Sequence, residues 1–347
     1  MFDSLLGNER AKETLRRMLA QGRVPGALLF AGDEGLGKKL FALELARALN
    51  CRARRGVEAC GVCPACVRIG KFQYPPSDDR DAHKKVVWSE HSDVAQVVPY
   101  NRNILIDAVR DLERECNFRP AEGNARVFVI DDAESLSPAS ANALLKTLEE
   151  APPTTHLVLV SSRPAALLPT IRSRCQTVRF APLTVEELEA HLVKARKRAG
   201  DEARLAARLA TGRPGPALSL NLDDYRARRD WALGVVETLA AAGPERSRLL
   251  RAAEELSDAK SKDEFEPRLD ALSLLAHDIW LLSLDAAAPP RLVNEDIGER
   301  LSRLAAGVRP DRAARWLSRV EELRARLAVN VNRRVASDAL LLSMAGD

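Results

Sequence analysis

One run of residues constrains this chain more than any other: Gly32-Asp33-Glu34-Gly35-Leu36-Gly37-Lys38-Lys39. It directly follows the apolar stretch Ala27-Leu28-Leu29-Phe30-Ala31 and opens a helical pattern from Lys38 to Asn50. A short unbroken apolar stretch suits a strand buried on both faces. Glycines at this spacing let successive backbone N–H groups turn inward, and the following helix directs its positive end at the same point. Strand, glycine turn and helix in that order make a phosphate-binding loop, with Gly32, Gly35 and Gly37 shaping it and Lys38 reaching the terminal phosphates of a nucleotide such as ATP. One part is missing. The last position should be Ser or Thr, whose hydroxyl holds a magnesium ion, and Lys39 offers no oxygen. The sequence leaves two outcomes open: the extra cation replaces that ion, or it blocks the ion's site. Nucleotide binding itself also stays open, because a glycine turn without a ligand remains the competing reading.

Similar apolar runs lie at Arg126–Asp131, Thr155–Val160 and Thr177–Phe180, with helical patterns at Ile104–Cys116 and Ser140–Glu150 between them. Buried strands alternating with helices predict an α/β fold with a parallel sheet and crossover helices. The second run ends in Asp131-Asp132, which places Asp131 to hold a metal ion through water. Asp132 stands where a glutamate would polarise an attacking water. Aspartate is one methylene shorter, and a displacement of about 1 Å is enough to cripple catalysis. Ser137-Pro138 reads as a helix cap followed by proline in the first turn, and Thr184-Val185-Glu186-Glu187 reads as a capping box. The stretch from Lys71 to Asn103 shows no clear period and reads as a loop or insertion. Beyond Asp223 apolar residues recur at three- and four-residue spacing, as in Leu269, Leu272, Leu275 and Ile279. That pattern predicts a bundle of about five helices, broken at Gly243-Pro244, Pro289-Pro290 and Arg309-Pro310.

Four cysteines, Cys51, Cys60, Cys63 and Cys66, follow the loop helix at spacing C-x8-C-x2-C-x2-C. Four thiolates in so short a segment close a tetrahedral zinc site and leave no coordination position for water, so the metal is structural. The arginines around them, Arg52, Arg54, Arg55 and Arg68, read as a solvated face rather than a DNA contact. Cys116 and Cys175 read as packed thiols, His156 as a core residue, and His83 and His91 as unnecessary to the metal. A net charge of +4 neither demands nor excludes nucleic acid. No apolar run approaches the roughly 18–20 residues of a membrane helix. The start Met1-Phe2-Asp3-Ser4 lacks the basic and apolar stretches of a signal peptide, so a cytoplasmic protein is expected.

Several stretches resemble the clamp-loader subunits of bacterial DNA polymerase III, members of the AAA+ class. They are Leu6-Gly7-Asn8-Glu9, Arg23-Val24-Pro25-Gly26, the run from Ser140 through Ala143-Leu144-Leu145-Lys146-Thr147-Leu148-Glu149-Glu150 to Pro153, and Ser173-Arg174-Cys175. The resemblance covers residues 1 to about 220 well. Beyond that it rests on helical character and on Asn330-Val331-Asn332. It implies a P-loop domain over 1–180 with the zinc module at 51–66, a three-helix lid over 181–222, and a helical collar over 223–347. It also implies that Arg174 is an arginine finger, which reaches the nucleotide of a neighbouring subunit. Lys39, Asp132 and Gly215, which stands where a phosphate-sensing arginine is expected, are departures from the motor subunits. They point to the delta-prime type, with weak or no ATP hydrolysis of its own. Implied partners are the gamma/tau and delta subunits in a heteropentameric ring, and through it the sliding clamp and primed DNA. Two alternatives stand beside this reading: a working gamma/tau-type ATPase, and a zinc-dependent DNA-binding protein on the same fold. No paired carboxylates suit a polymerase site.

Overall fold

A computed structural model describes residues 1–196, 198–241, 245–258, 263–284, 291–327 and 332–346. They divide into two compact units, Met1–Leu188 with Ala210–Leu218, and Glu189–Leu209 with Ser219–Asp347.

The first unit is built on a six-stranded sheet in the order β2-β3-β4-β5-β1-β6. The strands are β1 (Ala27–Ala31), β2 (Val87–Trp88), β3 (Val94–Val97), β4 (Arg126–Ile130), β5 (Thr155–Ser161) and β6 (Gln176–Arg179). Every neighbouring pair is parallel except β2 with β3. Helix α1 (Glu9–Ala20) precedes β1, and α2 (Lys38–Asn50), α3 (Pro64–Arg68), α4 (Ile106–Cys116), α5 (Pro138–Glu150) and α6 (Pro169–Arg172) lie between the strands. Strand side chains alternate between faces, so each strand feeds two cores. Leu28, Phe30, Val127, Val129, Val158 and Val160 pack with Leu15 of α1 and Phe41 and Leu45 of α2. Leu29, Phe128, Ile130, Leu157 and Leu159 pack on the other side with Leu112 of α4 and Leu144 and Leu148 of α5. The parallel α/β fold expected from the apolar runs is therefore present.

Local signals hold at the helix starts. Ser137 Oγ accepts the Ser140 N–H at 3.1 Å, with Pro138 in the first turn. Thr184 and Glu187 exchange side-chain to backbone hydrogen bonds at 2.9 and 3.1 Å before α7 (Val185–Arg196). Helix α4 starts at Ile106 rather than Ile104, because Ile104 bridges to Leu136 and Leu105 is extended, with φ −70° and ψ 143°.

The reading of residues 71–103 as an insertion is corrected. This stretch carries β2 and β3, and β3 is buried throughout beside β4. A strand covered on both faces needs no alternation, and Asp93 and Gln96 disguise it as a loop. Both are fully buried. The Asp93 carboxylate accepts the N–H groups of Ala121, Glu122 and Gly123 at 2.6, 2.9 and 2.7 Å. Asp93→Ala would orphan three donors, each worth about 1–3 kcal/mol when left unpaired. We therefore expect urea denaturation to show a loss of at least about 3 kcal/mol.

The second unit is helical. It contains α8 (Gly200–Leu209) and, after α9 (Pro214–Ser219), which lies mostly in the first unit, α10 (Leu222–Ala240), α11 (Arg246–Ser257), α12 (Phe265–Ser283), α13 (Gly298–Ala305), α14 (Pro310–Leu327) and α15 (Arg333–Gly346). Six helices follow Asn221 among the described residues, one more than expected, because the eight-residue α13 is too short to show a period. Asp278, which interrupts the apolar pattern in sequence, is fully buried and accepts the backbone N–H groups of Val293 and Asn294, each at 2.9 Å. The Arg309-Pro310 break coincides with the start of α14. Gly243-Pro244, Pro289-Pro290 and Asn330-Val331 lie outside the described residues. Among the described residues no helix is long and apolar enough to cross a membrane.

Candidate functional site

The parallel sheet brings three loop starts to one edge. Residues 32–37 leave β1, Asp131 and Asp132 leave β4, and Ser162 leaves β5, all at the carboxyl ends of adjacent strands. A crevice at that edge is where open parallel sheets bind ligands. Gly32, Gly35 and Gly37 have φ of 153°, 81° and 81°, conformations that side chains rarely adopt. Lys38 turns back over the loop and donates to Gly32 O and Asp33 O, both at 2.6 Å. Its burial holds its pKa below the ordinary lysine value, against the pull of the Glu134, Asp131 and Asp132 charges.

Lys39 Nζ lies 3.0 Å from Asp131 Oδ2 and 5.0 Å from the centre of the Tyr74 ring. Burial opposes its charge, but the Asp131 carboxylate and the Tyr74 hydroxyl outweigh that and raise its pKa. Asp132 adopts a left-handed backbone, φ 46° and ψ 52°. Partial desolvation and the carboxylates of Asp131, Glu134 and Glu34 push its pKa up.

Ser162, just past β5, donates its N–H to Glu134 Oε1 at 3.0 Å, and its hydroxyl bonds the same oxygen. Gly215 N–H donates to Gly35 O at 2.9 Å. A Cβ at Gly215 would stand 3.1 Å from Gly35 Cα, so backbone fills the place where a sensing side chain would enter. Arg213, two residues away, donates its Nε to Ala210 O and Thr211 Oγ1 at 3.1 and 3.2 Å. Tyr74 and Glu134 were missed by sequence reasoning. Tyr74 sits in an irregular segment without a motif, whereas Glu134, three residues beyond Asp131, carried a signal by position alone.

The cysteine segment forms a compact centre beside α2. The Sγ atoms of Cys51, Cys60, Cys63 and Cys66 lie within 4.8 Å of one another, with Cys51–Cys63 at 3.9 Å and Cys60–Cys66 at 4.0 Å. Zinc–sulfur bonds of about 2.3 Å give a tetrahedron with edges of about 3.8 Å. The Cys60 N–H points at Cys51 Sγ and the Cys63 N–H at Cys60 Sγ, both at 3.3 Å, as suits thiolate ligands. Backbone N–H groups of Val62 and Cys63 bring the Cys60 thiol down to about 6. This donor set fits one zinc ion.

Two of the surrounding arginines anchor the segment instead of forming a free basic face. Arg68 grips the Glu122 carboxylate at 3.1 and 2.5 Å, and Arg52 donates to Glu122 O at 2.9 Å. Burial pushes the Cys116 and Cys175 thiols up to about 12 and 11, as packed thiols require.

Arg174 is at the other edge of the sheet. It precedes Gln176, the first residue of β6, which runs parallel to β1. The strand length between it and the phosphate loop is about 13 Å at roughly 3.3 Å per residue. Its guanidinium pairs with Glu149 and donates to Thr170 O at 3.0 Å, and the side chain is 35% exposed. The sheet thus separates the cationic finger candidate from the chain's own phosphate loop.

Residues 7–184 match the protein family described as DNA polymerase III, delta subunit. The DNA polymerase III subunit delta' of Escherichia coli (strain K12) is 30% identical over 326 residues, which cover 92% of this chain and 89% of that protein. Subunit tau of the same organism is 30% identical over 315 residues, 83% of this chain, so the chain spans less than half of tau, 45%. A solved gamma-subunit-related protein of DNA polymerase III from Thermotoga maritima aligns over 96% of this chain and 98% of its own at 19% identity, with a TM-score of 0.37.

Proposed function

Because the chain belongs to the DNA polymerase III delta-subunit family of clamp-loader proteins, we propose that it is a delta-prime-like subunit that hydrolyses little or no ATP itself and supplies Arg174 to a neighbour. The observation that carries this reading is the Lys39–Asp131 ion pair in the place of a magnesium-holding hydroxyl and carboxylate. Asp132, set back and crowded by carboxylates, and Gly215, without a side chain, weaken the same site further. The cysteine centre would be held by one structural zinc through Cys51, Cys60, Cys63 and Cys66, and the ion would supply folding energy rather than chemistry.

In this reading residues 1–180 act as the P-loop domain, 181–222 as the lid and 223–347 as the collar. The partners are gamma/tau and delta subunits in a pentameric ring that opens a sliding clamp on primed DNA. The setting is the cytosol, at the replisome. Arg174 supports the reading by standing at the sheet edge opposite the phosphate loop, partly exposed.

The test is single-turnover ATP hydrolysis by the isolated full chain. We expect no rate above the uncatalysed background. Turnover that disappears in Lys38→Ala would replace this reading with a gamma/tau-type motor.

A further inference from the structure

In a phosphate loop the residue after the lysine supplies a hydroxyl to the metal, and a strand-end carboxylate completes the hold through water. Here the carboxylate is present as Asp131, and the hydroxyl is replaced by an ammonium 3.0 Å from it. An ammonium has three donors and no acceptor. Magnesium needs oxygen ligands at about 2.0–2.1 Å in near-octahedral order, and at this point it meets a like charge instead. The donor set does not fit a divalent ion.

We infer that Lys39 is a tethered counter-ion standing in the metal position, and that it makes the loop selective for metal-free nucleoside diphosphate over the metal chelate. This deepens the reading of a weakened ATP site and rests on it. Three features hold the ammonium in place. The Lys39 and Asp131 side chains are 32% and 22% exposed, so water screens the pair only in part. The Tyr74 ring lies across the ammonium, adding a cation–π contact. Lys38 is engaged by Gly32 O and Asp33 O and does not compete for Asp131.

A diphosphate entering the glycine turn would meet both lysines. Its own chelated metal would have to displace Lys39 from Asp131 first. The cost of that exchange separates free from chelated ligand.

The test uses the full chain and ADP, which keeps it apart from any hydrolysis by the wild type. ADP binding is measured by equilibrium dialysis in EDTA and in millimolar Mn²⁺, with wild type and Lys39→Thr compared. Thermal melting checks that both are folded. We expect the wild type to bind ADP in EDTA and to lose about tenfold in apparent affinity as Mn²⁺ sequesters the free ligand. Lys39→Thr should reverse the order, gaining about tenfold with Mn²⁺ and showing protein-bound Mn²⁺ by electron paramagnetic resonance. Tighter ADP binding by the wild type in Mn²⁺ overturns the inference. So does a failure of both proteins to bind ADP under either condition, since the loop would then select nothing. Either result leaves the role of Arg174 untouched, because that role is read on a neighbouring subunit.

Discussion

Alanine at position 174 is expected to leave the chain folded and able to assemble, yet to slow ATP hydrolysis at the adjoining subunit by on the order of 10³-fold. The transferring phosphoryl group spreads negative charge over its oxygens in the transition state, and a guanidinium aimed there stabilises that state more than the ground state. The native fold survives the change because Arg174 makes only exposed contacts, to Glu149 and Thr170. Exposed pairs of this kind contribute about 0–1 kcal/mol. One arginine serves one interface, so total turnover by a reconstituted ring falls only by that site's share. The decisive measurement therefore uses an assembly in which the adjoining site alone can hydrolyse ATP. Lysine at 174 should restore little, since a point charge lacks the planar fork of the guanidinium. Turnover by the alanine variant within twofold of wild type would remove the trans role.

The second large effect lies in the cysteine centre. Zinc content should be one ion per chain, and Cys66→Ser should lose it. Structural zinc contributes about 10–16 kcal/mol to the folding of small modules, and otherwise residues 51–66 are tied to the domain mainly by polar anchors such as Arg52 to Glu122 O and Arg16 to Glu58. Their buried cluster consists of Ala59 and the cysteines themselves. We expect the variant, or wild type stripped by a strong chelator, to become sensitive to trypsin at the exposed Arg52, Arg54 and Arg55. The sheet should survive, because its two cores draw on α1, α2, α4 and α5. Proteolysis at those arginines that is no faster without metal would show that the segment is held by Arg68, Arg52 and Arg47 instead. Arg47 is the third anchor, donating to Cys66 O at 3.0 Å.

How far the site was legible depended on whether its parts were neighbours in sequence. The phosphate loop, the helix cap at Ser137 and the four cysteines announce themselves because each is a local pattern. Strands β1, β4 and β5 do so as well, since an apolar run of five to seven residues flanked by turns has few other uses. Strand β3 did not, because burial on both faces removes the alternation and two buried polar residues look like loop chemistry. The roles of Tyr74 and Glu149 were hidden for a different reason. Each acts on a residue from another segment, and nothing in its own neighbourhood records that.

By itself the sequence determined that a glycine loop follows a buried strand, that its metal-binding hydroxyl is absent, and that four thiols lie close enough to share an ion. These are statements about residue types at short range, where covalent spacing dictates geometry. Only the tertiary structure decided the fate of the extra lysine. Strand pairing sets β4 two places from β1, which puts the Asp131 carboxylate within ion-pair reach of Lys39, and long-range folding lays Tyr74 across the pair. It likewise decided that Arg174 stands at the opposite edge of the sheet from its own phosphate loop, because parallel strands put every strand start on one side and every strand end on the other.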